Sequence, residues 1–185
     1  MAEWCRRCGI EVWAYGLMPN HVHLIAVPSS EDGLRLGVGE AHRRYTRRVS
    51  FRERWPGHLW PGRFASFVLD DDYLLAATRY VEMNPVRAGL VDRAQAYRWS
   101  SAAAHLAGRD DLLVKAAPLL EIVGDWRTFL SEPTAEVTGQ KLQRHERAGR
   151  PLGGESFLAK LAGLLNRVLK PGKPGRKPKR QAKLV

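Results

Sequence analysis

The sequence predicts an α+β protein, an antiparallel hairpin packed by helices and continued by a helical extension, on three observations. Ile10 to Tyr15 and His21 to Val27 alternate with the period of two that marks strands, and Gly16 to Asn20 between them supplies turn chemistry. Leu34 to about Arg52 and Tyr73 to Met83 instead repeat apolar residues at the helical period. With 44 % hydrophobic residues, a 185-residue chain can bury a real core.

In chain order, Ala2 to Arg7 reads as the last turns of a helix, with Gly9 as its C-cap before the first strand. Cys5 and Cys8 form a lone Cys-x-x-Cys, open to a redox or half-zinc role; with no second pair, reduced thiols are the simpler reading. In the second strand His21 and His23 point to one face, with backbones about 6 to 7 Å apart, and Val22, Leu24 and Ala26 to the other. Such a pair is either a half-exposed surface feature or two ligands for one divalent ion.

Pro28 to Gly33 is a turn, and the helix after it carries Leu34, Val38, Ala41, Tyr45 and Val49 on one stripe. Its other side bears Arg35, Arg43, Arg44, Arg47, Arg48 and Arg52 against only Glu40 and Glu53, a solvated face or a phosphate-tracking surface. Trp55 to Phe64, a Pro/Gly-broken loop with His58, Trp60 and Arg63, suits a base-stacking platform or a Trp-rich lid. Ser66 to Leu69 reads as a further strand.

Asp70 to Asp72 cap the next helix and suit its dipole, which accounts for them without a metal ion. Pro85 is expected to stop that helix. Tyr73, Ala77, Tyr80 and Asn84 share one face, so Tyr80 and Asn84 can address one point in space; Leu74, Thr78 and Val81 lie on another. Taken alone, Tyr80 is a buried structural tyrosine.

Val86 to Val91 leaves the helix, and Asp92 to Ser101 leads into an alanine-rich helix ending near Gly108. Leu112 to Leu130 reads as one or two short helices whose Trp126, Phe129 and Leu130 cover an apolar surface. Glu132 to Gly149 reads as a polar linker or exposed helix, and Glu155 to Leu169 as an amphipathic helix in need of a partner surface. From Lys170 the chain is too basic and Pro/Gly-rich to build a core; Lys173, Arg176, Lys177, Lys179 and Arg180 make it a nucleic-acid arm or a solubilising tail.

Thirty Lys and Arg against nineteen Asp and Glu give a net charge of +11, which favours a polyanionic partner. Six Trp, five Tyr and five Phe, several beside arginines, favour nucleic acid over lipid. No apolar run is long enough to span a membrane and no signal-peptide core opens the chain, so a cytoplasmic protein is expected.

Three stretches in order, Met18 to Val27 with its His21-x-His23, Gly57 to Phe64, and Tyr80 to Val91, resemble the HUH single-tyrosine transposases, IS200-like and in particular the REP-associated branch. The likeness runs from about Cys8 to about Ser101. It implies a ferredoxin-like HUH domain over residues 1–105, a helical extension over 106–169 and a basic tail over 170–185. It also implies that His21, His23 and Asn84 hold a divalent metal, Mg²⁺ or Mn²⁺, and that Tyr80 attacks single-stranded or hairpin DNA to leave a 5′-phosphotyrosine.

On that reading the protein is bacterial and nucleoid-associated, with a homodimer allowed, and Arg43, Arg44, Arg47, Arg48, His58, Trp60, Arg63 and the tail residues contact DNA. In the family the sheet begins with an earlier strand and a full first helix. Met1 falls where that helix ends, so the pattern implies a late-assigned start or a shortened gene, and an unpaired sheet edge. The alternative is therefore an inactive DNA-binding relic. An RNA-binding module leaves the histidine pair and Tyr80 unexplained.

Overall fold

Gly9, left-handed at φ 62°, ends the first helix, α1 (Ala2–Arg7), and turns the chain into the sheet. The computed structural model in which this is seen describes residues 1–133 and 136–169. Strands β1 (Ile10–Leu17) and β2 (Val22–Pro28) pair antiparallel, with Gly16 opposite His23 and Leu17 opposite Val22. The register shifts between Val12 and Ala14, leaving Trp13 as the extra residue of a bulge. Val12 and Tyr15 therefore pack on one side of the pair and Ala14, with Ile25, on the other.

The first side carries α1 and α2 (Gly33–Glu53), where Cys5, Ile10, Val12, Tyr15 and Val38 form a core. Val38 and Ala41 of the expected α2 stripe are buried, but Tyr45 is 55 % exposed. A 21-residue helix spans about 32 Å and an eight-residue strand about 26 Å, so the strand cannot cover the whole stripe.

The second side carries α3 (Asp71–Glu82). Asp70 caps it by accepting from the Tyr73 backbone N–H at 3.3 Å, with Asp71 and Asp72 in the first turn, as the sequence implies. α3 ends before Pro85, as expected. After Met83 a further turn, α4 (Asn84–Arg87), takes Pro85 in its first turn, where a missing N–H costs nothing.

The outer edge of β1 is sealed by later chain. Leu17 donates to the Trp99 carbonyl at 2.8 Å, Ser101 to Tyr15 at 3.0 Å and Lys115 to Val12 at 2.8 Å. The outer edge of β2 has no such partner among the described residues. Ser66 to Leu69 is not a sheet strand: its polar groups go to Leu152, which donates to the Val68 carbonyl at 2.8 Å and accepts from Asp70 at 3.1 Å.

Beyond a 3₁₀ turn at Ala94–Ala96 come α5 (Ala102–Leu106), α6 (Ala117–Leu120), α7 (Trp126–Ser131), α8 (Glu136–Ala148) and α9 (Glu155–Leu165). Trp126, Phe129 and Leu130 are buried, as their pattern predicts, with Leu119, Leu142 and Leu152 against Ala14, Ala77, Tyr80 and Val81. The arm residues Lys173, Arg176, Lys177, Lys179 and Arg180 lie outside the described residues. No described helix is long and apolar enough to cross a membrane.

Candidate active site

His23 lies in β2 and His21 immediately before it, and their imidazoles meet edge to face with centroids 4.7 Å apart. Asn20 Oδ1 lies 2.6 Å from His21 Nδ1, the contact that holds a proton on that nitrogen and leaves Nε2 with a lone pair. Burial, and then the neighbouring His23, push the His21 pKa below its ordinary value, so the neutral ligand-competent form is favoured.

α3 brings Tyr80 to this pair. Its ring stands edge-on to His23 at a centroid distance of 5.8 Å. A side chain at Gly16, opposite His23, would put its Cβ 3.2 Å from the Val81 carbonyl, so the bare backbone there lets α3 settle directly on the sheet. One turn on, Asn84 Nδ2 lies 3.2 Å from His21 Nε2 and Asn84 Oδ1 accepts from Arg87 at 3.2 Å. The Arg87 guanidinium lies 3.8 Å from the centroid of the Tyr80 ring.

The end of α3 is held by a buried polar cluster that sequence reasoning did not single out. Glu82, fully buried between Tyr80 and Asn84 in sequence, accepts from Ser101 Oγ at 2.5 Å, His105 Nδ1 at 2.6 Å and Trp126 Nε1 at 2.9 Å. A carboxylate only accepts, so the His105 proton sits on Nδ1.

A second omission is larger. The stretch read as linker or exposed helix is α8, and it lies against the site. Gln143 Nε2 donates to Tyr80 Oη at 3.3 Å, and Glu146 Oε1 lies 3.2 Å from His23 Nδ1. A Cβ on Gly139 would sit 3.9 Å from the Tyr80 ring. Tyr80 is consequently only 7 % exposed.

The predicted DNA contacts divide. Arg43 and Arg44 both donate to Glu40, at 2.6 and 2.8 Å, and the two arginines pull the Glu40 carboxyl down to about 2. Arg47, Arg48, His58 and Arg63 are exposed. Trp60 stacks on His42 at 4.2 Å and donates to its carbonyl at 3.4 Å, which ties the loop back to α2. Burial pushes the Cys5 thiol up, and both cysteines are free. Tyr15, the other buried tyrosine beside the sheet, donates to Asp111 at 2.7 Å; burial and that carboxylate push its pKa up, so it stays a protonated structural group.

Among the described residues no group of three or more His, Cys, Asp or Glu side chains is arranged to hold an ion. A divalent cation here would rest on two neutral imidazoles and the Asn84 amide oxygen, with water or phosphate oxygens beyond. Asn84 is close enough to His21 for such a set, but it turns its Nδ2 to His21 Nε2 and its Oδ1 to Arg87, so its amide would have to turn over to offer oxygen to an ion.

A histidine pair at the start of β2 thus faces a helix-borne tyrosine, on an α+β scaffold in a chain of net charge +11. A family model described as "Transposase IS200 like" matches residues 1–84, a stretch that includes His21, His23, Tyr80 and Asn84. Over these residues the chain is similar to that family. No curated protein and no solved structure matches the chain.

Proposed function

We propose that the protein is a metal-dependent strand transferase that cleaves and rejoins single-stranded DNA at hairpin repeats, with Tyr80 as nucleophile. The observation that carries this reading is the meeting, across more than fifty residues of chain, of Tyr80 and Asn84 with His21 and His23. Tyr80 Oη would attack the phosphorus of a phosphodiester. The phenol proton is lost, a tyrosyl phosphoester forms at the 5′ side, and the released 3′ oxygen takes up a proton. One phosphoester bond replaces another, so the linkage energy is kept for rejoining and no nucleotide is consumed.

A free phenol, with a pKa near 10, is a weak nucleophile at neutral pH. A Mg²⁺ or Mn²⁺ ion held by His21, His23 and Asn84 would supply charge stabilisation at the scissile phosphate. The chain's own groups do the rest: the Arg87 guanidinium fixes the ring plane, Gln143 holds the hydroxyl, and exposed Arg47 and Arg48 offer phosphate contacts.

The burial of Tyr80 favours a second reading, a DNA-binding protein without catalysis in which Tyr80 is a core residue. A labelled hairpin oligonucleotide, incubated with protein and Mn²⁺ or Mg²⁺ and run on a denaturing gel, separates the two. The transferase gives a metal-dependent, protease-sensitive shifted band that Tyr80→Phe abolishes while hairpin binding persists. Binding without any adduct in the wild type leaves the second reading.

A further inference from the structure

Helix α8 lies outside the family-matched residues 1–84, yet it touches both halves of the candidate site. Gly139, Leu142, Gln143 and Glu146 stand at i, i+3, i+4 and i+7, the spacing of one helical face. Leu142, 4 % exposed, seats that face in the core beside Tyr80. Gly139 gives clearance over the Tyr80 ring, and Gln143 reaches its hydroxyl. Glu146, at the end of the stripe, is thereby aimed at His23, whose side chain is 12 % exposed.

We infer that Glu146 is a positioning residue for His23: its carboxylate accepts the Nδ1 proton and so leaves Nε2 as the nitrogen that faces a metal ion. The inference rests on the metal-site reading of the proposed function. An imidazole has two tautomers, and only the one with its proton turned away presents a lone pair to a cation; a carboxylate on the far nitrogen selects it. His21 obtains the same result from its neighbour Asn20, whose Oδ1 is 2.6 Å from Nδ1. His23 is followed by Leu24, an apolar residue, and no such oxygen precedes it in Val22. The oxygen 3.2 Å from its Nδ1 comes instead from 123 positions further along the chain, so the extension completes a site that the hairpin starts.

The test uses the full chain as wild type, Glu146→Ala and Glu146→Gln. Long-range ¹H–¹⁵N spectra at pH 8.5 without metal, with His23 assigned by its loss in His23→Gln, report the tautomer. Wild type and Glu146→Gln, whose amide oxygen still accepts, are expected with the proton on Nδ1; Glu146→Ala reverts to the mixture of a free imidazole. Mn²⁺ affinity, read from the electron paramagnetic resonance of free Mn²⁺, falls by about 10- to 100-fold in Glu146→Ala and by less in Glu146→Gln. A merely structural role would move the urea midpoint and leave the tautomer alone.

Glu146→Ala with the wild-type tautomer and wild-type Mn²⁺ affinity overturns the inference and leaves the proposed function standing. A wild type that binds no Mn²⁺ removes the metal from the proposed function. The metal-free tautomer comparison then still decides whether Glu146 orients His23.

Discussion

Removal of the Glu82 carboxylate is expected to cost the protein much of its stability and, through it, the aim of Tyr80. In Glu82→Ala three buried donors, Ser101 Oγ, His105 Nδ1 and Trp126 Nε1, lose their acceptor at once. Breaking a buried charged pair from one side costs about 3–5 kcal/mol, against a total stability of about 5–15 kcal/mol. With a urea slope of about 2 kcal/mol per M, a loss of about 4 kcal/mol lowers the midpoint by about 2 M. Glu82→Gln is the control. Ser101 and His105 both donate to the same oxygen, Oε1, so an amide oxygen there keeps two bonds and turns its NH₂ toward the Trp126 N–H. It should cost about 1–3 kcal/mol, the penalty of one buried donor without an acceptor, and adding Trp126→Phe should recover part of it. An alanine variant within about 1 kcal/mol of wild type, or a glutamine variant as damaged as alanine, would refute the claim that the carboxylate's hydrogen bonds hold the end of α3.

Three further outcomes follow from the same geometry. Gly16→Val forces α3 away from the sheet at Val81, and adduct formation should slow by about 10- to 100-fold in a protein that still folds; an unchanged rate would show that Tyr80 does not depend on that close approach. Arg47→Ser with Arg48→Ser should weaken hairpin binding whatever the sequence and flatten its dependence on log salt by about two, which titration at several salt concentrations reads directly; an unchanged slope excludes this face. Burial, and then the amino-terminal charge, hold the His42 pKa below its ordinary value, so the fold favours the neutral ring. Stability should be flat above about pH 6.5 and fall below it, where the unfolded chain takes up the proton first; His42→Phe, still stacked on Trp60, should show a shallower fall between pH 7 and 5, and an equal slope assigns the loss elsewhere.

The elements that the sequence made legible are those ruled by local chemistry. Alternation placed the hairpin and put both histidines on one face, Gly9 and Asp70 marked a helix end and a helix start, and the spacing of Trp126, Phe129 and Leu130 announced a buried edge. What failed was decided by distant partners. Ser66 to Leu69 has the composition of a strand, but which backbone would pair with it is not a local property, and Leu152 took the place of the sheet. At Pro85 the local reading holds for α3, which ends at Glu82, but that the chain starts a new turn there, with the absent N–H harmless in its first positions, is not a local property.

The site divides along the same line, and the division says where its missing members lie. His21, His23, Tyr80 and Asn84 were legible because motif and periodicity coincide at them. Glu82 and the α8 residues were not, because they break the pattern by which a buried face is recognised. A charged residue in the middle of Tyr80-Val81-Glu82-Met83-Asn84 looks solvent-facing until its three donors, 19 to 44 residues away, are seen around it. The stripe Gly139, Leu142, Gln143, Glu146 holds one large apolar residue in four positions, so it does not read as the side of the helix that meets the site. A helix that packs on a polar site must itself be polar on its buried side, and hydrophobic periodicity is blind to it for that reason. In a chain whose candidate site joins a histidine pair to a buried tyrosine, polar helices downstream of the motif are where further members of the site are to be sought. Glu146 and Gln143 meet that condition at 3.2 and 3.3 Å.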